Sequence, residues 1–403
     1  MNTVSPYGSW KSPISSDLIV SGTVGFGQIA IDGDDIYWVE GRPSEAGRSV
    51  LVRRTPDGTI SDVTPAPFNV RTRVHEYGGA AFTVAGGVVY FSHFADQRIY
   101  SQALDSQPEP LTPVANSRYA DVMVDKPRNR LICVREDNAG EGEPVNTIVS
   151  INLDNGEDIQ ILTQGNDFYA SPRVSPDGSL LSWICWNHPN MPWDGTELWV
   201  AEIKADGSLG EKYLVAGGVN ESIFQPEWSP DGVLYFVSDK SNWWNFYRTV
   251  NPSLPRAQQE VEPLCEMAAE FGLPQWVFGM STYAVVSESK IICTYTQQGL
   301  WYLASLDLTT KHLTTIETPY TDISSVKAQG QIVVFLATSP TESTAIVQLN
   351  LATSKLEILR QSSNLSINPG YLSVPEPIEF PTENNLTAFG FFYPPKNQDF
   401  AAP

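Results

Sequence analysis

The chain has 403 residues, 41% of them hydrophobic, and its 46 acidic and 25 basic side chains give a net charge of −21. A surface this acidic repels phosphate backbones and anionic bilayers, so we expect neither nucleic acid nor a membrane as a partner. The four cysteines lie far apart without metal-binding or redox spacing, and the sequence starts with no leader-like pattern. We therefore expect buried free thiols, no metal, no cofactor and a cytoplasmic protein.

Residues 1–24 carry no repeated pattern, whereas short strands joined by tight turns follow from residue 25 onward. Two copies are clearest: "PRVSPDGSLLSWICW" at 172–186 and "PEWSPDGVLYFVSD" at 226–239 share the frame P-x-x-S-P-D-G-x-L. In each, Pro-Asp-Gly stands between an apolar strand and an alternating one. This arrangement predicts a β-hairpin.

The same hairpin recurs seven times. Its equivalent turn positions fall 40 to 58 residues apart, at Asp32, Ala85, Asp125, Ser175, Ser229, Ser287 and Ala328. A second pair of strands follows most of them, as in "NTIVSINLDNGEDIQILT" at 146–163, and only 263–272 has a weak helical pattern. Four-stranded units with this period predict an all-β fold, a seven-bladed β-propeller of antiparallel blades over residues 25–363, with six or eight blades as the alternatives.

The unusual side chains are confined to one class of connection. The turns inside each hairpin are plain, whereas the long aromatic segments join the second strand to the third or one blade to the next, at 69–79, 187–197, 239–245 and 266–281. In a propeller these connections share one face, and loops on a rigid scaffold often carry function. The candidate contacts to substrate or to a partner domain are Arg71, Arg73, His75, Glu76, Trp193, Asp194, Trp243, Trp244 and Trp276. Alternatively, the tryptophans only fill the cores between blades.

The elements of a serine hydrolase are missing from these 403 residues. Only Gly47 and Gly279 precede a serine by two positions, and Leu51 and Tyr283 stand where G-x-S-x-G needs its second glycine. No histidine precedes a glycine, so an oxyanion loop of the His-Gly-Gly type is also missing. The four histidines fall in four different repeats, which disfavours a metal site built by close spacing.

Several segments together resemble the propeller of bacterial serine peptidases of the prolyl oligopeptidase family, in the dipeptidyl aminopeptidase or acylaminoacyl-peptidase-like branch. They include "TRVHEYGG" at 72–79, "SWICWNHPNMPWDGTELWVA" at 182–201, "NWWNFYR" at 242–248 and "FGLPQWVFGMSTYA" at 271–284. The resemblance covers nearly the whole chain. It departs at Ala80, where a third glycine is expected.

The resemblance implies that residues 364–403 are a linker and the first hairpin of an α/β-hydrolase domain, which would supply the catalytic groups in a longer parent protein. The propeller would then be a non-catalytic part that gates the entry of peptide substrates, and its aromatic rim would face the hydrolase domain. Glu76 would bind a substrate amino group or an arginine of that domain. Alternatively, an ion pair between Arg73 and Glu76 would only fix the turn at Gly78 and Gly79.

Two other functions remain open. One is a stand-alone, TolB-like propeller that serves as a protein-interaction module, and the other is a propeller enzyme with its own metal site. A reading frame that continues past Pro403 into hydrolase motifs would favour the peptidase over the interaction module.

Overall fold

The first strands of seven consecutive sheets surround a common axis. The computed structural model describes residues 2–20, 22–255 and 258–403. Within these ranges the chain forms seven four-stranded antiparallel sheets, and every sheet takes its four strands from one continuous stretch of sequence. Each first strand contacts the first strands of both neighbouring sheets, which closes the ring. The predicted fold class and blade number are confirmed.

The first four blades cover the N-terminal half of the propeller. Blade one consists of β2 (Gly25–Asp32), β3 (Asp35–Arg42), β4 (Arg48–Arg54) and β5 (Ile60–Asp62). Blade two consists of β6 (Phe82–Ala85), β7 (Val88–Ser92), β8 (Ile99–Ala103) and β9 (Glu109–Pro110). Blade three consists of β10 (Ser117–Asp125), β11 (Arg130–Asp137), β12 (Val145–Asn152) and β13 (Ile159–Thr163). Blade four consists of β14 (Phe168–Val174), β15 (Leu180–Trp186), β16 (Glu197–Ile203) and β17 (Leu209–Gly217).

The remaining three blades follow the same order. Blade five consists of β18 (Ile223–Trp228), β19 (Leu234–Ser238), β20 (Asn245–Thr249) and β21 (Val261–Cys265). Blade six consists of β22 (Tyr283–Ser287), β23 (Lys290–Gln297), β24 (Leu300–Asp307) and β25 (Leu313–Ile316). Blade seven consists of β26 (Asp322–Gln329), β27 (Ile332–Ser339), β28 (Glu342–Asn350) and β29 (Lys355–Gln361). Outside the blades lie β1 (Thr3–Val4), α1 (Ser16–Val20), β30 (Glu376–Pro381), β31 (Thr387–Phe392) and β32 (Phe400–Ala401).

The Pro-Asp-Gly turns form as their sequence predicts. In blade four the Ser175 hydroxyl donates to Asp177 Oδ1 at 2.6 Å, and the Gly178 N–H donates to the Ser175 carbonyl at 2.9 Å. Gly178 has a φ of 74°, a conformation that glycine adopts without a steric penalty. These bonds satisfy the turn locally and set the register of the hairpin.

The ring closes through side chains and backbone contacts without exchange of a strand. A hydrophobic cluster joins blades one and seven, with Trp38 packed among residues of both. Glu40 of blade one is 1% exposed and accepts hydrogen bonds from Arg42 and, across the seam, from Arg360 Nε at 3.0 Å. The seam is therefore held by a desolvated carboxylate between two guanidinium groups.

The C-terminal hairpin lies on one face of the ring. β30 and β31 form an antiparallel hairpin, and a Cβ at Gly299 would lie 2.7 Å from the ring of Phe391. Gly299 belongs to the turn between the second and third strands of blade six, so the hairpin lies on the face that carries the aromatic connections. β1 pairs in parallel with β32, which brings the N-terminal segment to the C-terminal one.

The helix suggested for 263–272 is wrong. β21 ends at Cys265, and the chain then continues without regular structure. Glu270 exchanges two backbone hydrogen bonds with Thr296 of blade six, and Phe271 is fully buried. Tertiary pairing thus replaces the hydrogen bonds that a helix would supply. None of the helices in the described ranges is long and apolar enough to cross a membrane.

Candidate functional site

A cross-ring contact joins two connections that enter different blades. The segment before blade two meets the segment before blade six, because Gly79 pairs in parallel with Phe278 and the Phe278 N–H donates to the Gly78 carbonyl at 2.9 Å. Blades two and six are not neighbours in the ring. The two connections, which we call the strap (residues 69–82 and 271–282), therefore meet across the mouth of the propeller on the aromatic face.

At two positions of the strap, only glycine fits the backbone conformation and the space available. His75, Glu76, Gly78 and Gly79 all have positive φ, between 53° and 98°. A Cβ at Gly78 would lie 2.3 Å from the Thr72 carbonyl oxygen, and one at Gly79 would lie 2.4 Å from that of Phe278. His75 and Glu76 have β-carbons, so this backbone conformation is strained for them. Such strain is typical of ligand sites and switch regions.

Blade three holds the turn of the strap through charged groups. The buried Glu136 carboxylate accepts the His75 backbone N–H at 2.7 Å and Arg118 at 2.9 Å. Arg118 also pairs with Glu76 at 3.0 Å, and it donates to the Arg73 carbonyl. The proposed ion pair between Arg73 and Glu76 is therefore wrong, since Arg118 is the partner of Glu76. The side chain of Glu76 is 78% exposed at the tip of the turn.

Arg71 and Arg73 belong to the strap, but their side chains face blade two. Their guanidinium groups lie over the ring of Phe94, at 4.9 Å and 4.5 Å from its centroid. Both residues are exposed, and such cation–π contacts at exposed positions stabilise by about 0.5–1 kcal/mol. Arg71 also lines a cavity below the strap that reaches residues of blades one and seven. The two arginines thus border the face without joining the tryptophans.

An aromatic cavity opens between the strap and blade four, and we call it the aromatic pocket. Its volume is about 180 Å³. Its walls are mostly rings and apolar side chains, contributed by His75, Tyr77, Gly78, Phe168, Trp186, His188, Asn190, Met191, Pro192, Trp193, Gln275, Trp276, Val277 and Phe278. Trp193 and Trp276, from two separate connections, contact each other with centroids 4.4 Å apart. Three of the four aromatic segments therefore meet in one pocket.

His75 forms part of the wall and contacts three buried or partly buried rings. Its imidazole lies 5.0 Å from Phe168, 5.7 Å from Trp186 and 4.8 Å from Phe278, measured between centroids. Burial lowers the pKa of His75 from 6.5 to about 4, although the neighbouring Asn146 side chain favours the protonated form. The imidazole is therefore neutral at neutral pH. It offers one N–H donor and one nitrogen acceptor.

A second cavity adjoins the aromatic pocket along blades five and six. Trp193 lines both, and the second one also contains Trp243, Trp244, Glu270 and Asp239. Trp243 is exposed, whereas Trp244 stacks on Phe224 and its backbone N–H donates to Glu270 Oε2 at 2.7 Å. Burial raises the pKa of Glu270 and of Asp239. Trp244 is therefore part of the packing, and Trp243 is the more available of the pair.

Asp194 has a local structural contact. Its Oδ2 accepts the Met191 backbone N–H at 2.8 Å, and its own N–H donates to the Met191 carbonyl at 2.9 Å. These bonds close the turn that presents Trp193 to the aromatic pocket. The side chain itself is exposed.

Charged side chains occupy the axis of the ring, which the sequence did not indicate. Asp121 of blade three pairs with Arg173 of blade four at 3.0 Å, and Arg173 Nε lies 3.6 Å from Glu227 of blade five. Burial lowers the pKa of Lys327 in blade seven, and this effect outweighs the nearby carboxylates of Glu227 and Asp121, which raise the pKa. Asp121 has a positive φ in a bulge of the first strand. The first strands of several blades thus direct charges of both signs into the bore.

Sequence reasoning also missed Phe168, Trp186 and Phe278, which complete the aromatic pocket. Trp186 was assigned to a strand and Phe278 to a connection, whereas Phe168 was assigned to neither, and nothing in the local pattern placed the three around His75. Among the residues that the structure describes, no three His, Cys, Asp or Glu side chains are grouped as metal ligands.

No protein-family model and no curated protein matches the chain, but solved structures do. A puromycin hydrolase matches all of this chain at 32% identity and a TM-score of 0.91, over 63% of its own length. A puromycin-hydrolyzing peptidase of Mycobacterium tuberculosis matches equally, at 33% identity and a TM-score of 0.91. Prolyl oligopeptidase B of Galerina marginata shares the fold, with 14% identity and a TM-score of 0.67 over 92% of this chain and 55% of its own. The chain thus spans less than two thirds of these proteins.

Proposed function

Since the chain fits the propeller region of prolyl oligopeptidase-family peptidases, we propose that it gates substrate entry in a serine peptidase that acts on peptides. The observation that carries the proposal is the whole-chain match to two puromycin-hydrolysing enzymes at about one-third identity. Residues 1–24 are then an N-terminal segment, 25–363 the gate, and 364–403 a linker and the start of an α/β-hydrolase domain. The four cysteines are free and three of them are buried, which supports a cytoplasmic setting.

The position of the hairpin supports an interface with that hydrolase domain. β30 and β31 are exposed on both faces, and they carry Phe380, Phe389 and Phe392 at 46%, 62% and 49% exposure. Apolar surface of this extent commonly marks an interface. The hairpin lies on the face of the strap and the aromatic pocket, so a domain that continues its sheet would cover both.

Two features support exclusion of large substrates. The strap crosses the mouth of the ring on this face, and the charges of Asp121, Arg173, Glu227 and Lys327 lie in the bore below it. A folded protein cannot pass such a path, whereas a short extended peptide can enter beside the strap. The gate therefore selects by size and flexibility.

The test uses the full-length protein that contains these residues. We expect it to hydrolyse a short chromogenic peptide efficiently and to leave a folded protein with the same cleavable sequence intact. Release of the hydrolase domain from the propeller by deletion of residues 25–363 should abolish this discrimination. Cleavage of the folded protein at the same rate as the peptide by the intact enzyme would refute gating. Lack of any peptide hydrolysis would favour an interaction module instead.

Glu76 and its neighbours are proposed as contacts to substrate or to the hydrolase domain. Glu76 is the single carboxylate in the sequence of the strap, its side chain is 78% exposed, and it already shares Arg118 with Glu136. In the full-length enzyme, Glu76→Gln should raise KM for peptides with a free amino terminus and leave the melting temperature unchanged, because exposed ion pairs stabilise weakly. Unchanged kinetics with a lowered melting temperature would assign Glu76 a structural role only.

A further inference from the structure

We infer that Arg71 and Arg73 of the strap form a binding site for the terminal carboxylate of a peptide. This inference deepens the proposed function and rests on it for the nature of the ligand. The two guanidinium groups recognise the negative charge, and the peptide residues that precede it lie at the mouth of the ring. The site binds and positions a ligand and takes no part in bond cleavage.

The two arginines differ from the other described arginines in having no polar side-chain partner. Neither guanidinium group forms a hydrogen bond or an ion pair with any residue in 2–20, 22–255 and 258–403. Every other arginine in these ranges pairs with a carboxylate or, in the case of Arg98, donates to the Thr112 carbonyl. The chain has 46 acidic residues, so internal partners are plentiful. The N–H donors of both groups are therefore available to a ligand.

The ring of Phe94 holds the two positive charges close together. Both guanidinium groups lie over this ring, at 4.9 Å and 4.5 Å from its centroid. The distance between them is therefore less than about 10 Å, the Debye length at 0.1 M salt, so the charges repel each other. An anion bound by both would relieve this repulsion. A guanidinium group stacked on a ring also keeps its in-plane N–H groups free to bind a carboxylate through two parallel hydrogen bonds.

The backbone at both arginines is fixed before a ligand binds. The Arg71 N–H donates to the Ser92 carbonyl at 3.1 Å, and the Arg73 N–H donates to Gln97 Oε1 at 2.8 Å. The Gln97 amide also donates to the Phe94 carbonyl at 2.9 Å, which joins the turn that carries the ring to the strap. A ligand would thus meet an arrangement that needs little further ordering, which favours binding.

The carboxylates of the strap and of the neighbouring turn in blade two have other partners. Asp96 accepts hydrogen bonds from the Arg98 backbone N–H at 3.2 Å and from the Tyr100 hydroxyl at 2.8 Å. Glu76 pairs with Arg118. An external carboxylate can therefore bind without displacing an internal one. Because the protein has a net charge of −21, an anionic ligand needs such a local positive site.

The position of the two arginines favours a peptide over a side chain of the hydrolase domain. Arg71 also lines the cavity below the strap, which has a volume of about 340 Å³ and mostly apolar walls. This cavity lies at the mouth of the ring, so an extended peptide can enter it with its carboxylate at Arg71. The C-terminal hairpin lies at blade six, whereas both arginines face blade two, which is not a neighbour of blade six.

The test is a ligand-observed NMR titration of the 403-residue chain and of the full-length protein with two peptides at low salt. The peptides are N-acetyl-trialanine, which has a free carboxylate, and its C-terminal amide. We expect the acid to bind about fivefold more tightly than the amide, the effect of exposed ion pairs. The ratio should fall towards one at high salt, because salt screens exposed charges.

The double variant Arg71→Gln/Arg73→Gln should bind the acid and the amide equally. Both side chains are exposed, so we expect this variant to fold. The double variant Lys204→Gln/Lys355→Gln is the matched control, because it removes the same charge from two exposed positions in turns on the opposite face, and it should preserve the fivefold ratio. If the arginine double variant fails to fold, Arg71→Gln alone should lower the ratio to about twofold.

Two kinds of result would overturn the inference. The first is equal binding of the acid and the amide to the unmodified chain, or a ratio that the arginine variants retain. The second is a preference for the acid that the 403-residue chain shows and the full-length protein lacks, because a carboxylate of the hydrolase domain would then occupy the arginines.

The two proposals fail separately. Peptide binding requires no hydrolysis, so a full-length protein that prefers the acid but cleaves no peptide would refute the peptidase function and retain the carboxylate site. A peptidase with the same KM for a peptide acid and for its amide would refute the carboxylate site alone.

Discussion

Replacement of Gly79 by alanine should weaken the strap more than an ordinary glycine replacement does. Gly79 has a φ of 98°, and a Cβ at this position would lie 2.4 Å from the Phe278 carbonyl oxygen and 2.7 Å from the Phe278 nitrogen. Both neighbours are backbone atoms, so neither can rotate away. The contact between the two halves of the strap would have to open.

The magnitude follows from three contributions. Left-handed backbone costs a residue with a β-carbon about 1–2 kcal/mol. Overpacking against fixed atoms costs about 1–3 kcal/mol, and loss of the bond from the Phe278 N–H to Gly78 costs about 1 kcal/mol. The sum is about 3–6 kcal/mol. Gly86 is the matched control, because its φ is 62° and its Cβ would meet no atom within 4 Å. Gly86→Ala should therefore cost only the first contribution.

The assay is urea denaturation of both variants, followed by tryptophan fluorescence. Because Trp186, Trp193 and Trp276 surround the aromatic pocket, loosening of the strap should also shift the native emission of Gly79→Ala to longer wavelength. A Gly79→Ala variant as stable as Gly86→Ala, with unchanged native emission, would refute the cross-ring contact.

Further predictions concern the seam, His75 and the cysteines. Glu40→Gln should lower the free energy of unfolding by about 1.5–3 kcal/mol, because Arg360 loses its carboxylate across the seam and Arg42 keeps only Glu45 and Asp62. Glu357→Gln, which breaks a more exposed pair with Arg54, should cost less than about 1 kcal/mol in the same denaturation assay. Equal losses would contradict the role of Glu40. Burial lowers the pKa of His75 from 6.5 to about 4, so the unfolded chain takes up the proton first: up to about 3 kcal/mol of stability is present above pH 6.5 and is lost as the pH falls towards 4. His75→Leu should flatten the pH dependence of stability in this window and His312→Leu should not; a flat wild-type profile that both variants share would count against burial of His75. Burial raises the pKa of all four cysteine thiols. A thiol reagent at neutral pH should therefore modify at most the partly exposed Cys265 before urea unfolds the chain. Rapid modification of Cys133 or Cys293 in the native protein would show that their blades open.

The fold could be predicted because its signals are local. Ser175, Pro176, Asp177 and Gly178 close a turn through bonds within five residues, and the same signal at Ser229 allowed the period to be read along the chain. The helix suggested around Glu270 failed for the opposite reason. Its backbone partner is Thr296 in the next blade, and no local pattern reports such a pairing.

The candidate site could be predicted only in part. The aromatic segments were correctly assigned to one class of connection, and Trp193 and Trp276 do meet with His75 in one pocket. Arg118 and Glu136, which hold His75 and Glu76, lie on two strands of blade three whose sequences look like ordinary propeller strands. Their role follows from the path of the strap across the ring, which brings together residues more than forty positions apart.

Peptide hydrolysis by the full-length protein tests the central proposal most directly. The reading frame that encodes residues 1–403 should continue beyond Pro403 into a G-x-S-x-G sequence, and the purified product should cleave short peptides with a rate that alanine at that serine abolishes. A product that contains these residues and cleaves no peptide, or cleaves it equally well after the serine is replaced, would contradict the assignment of this propeller to a serine peptidase.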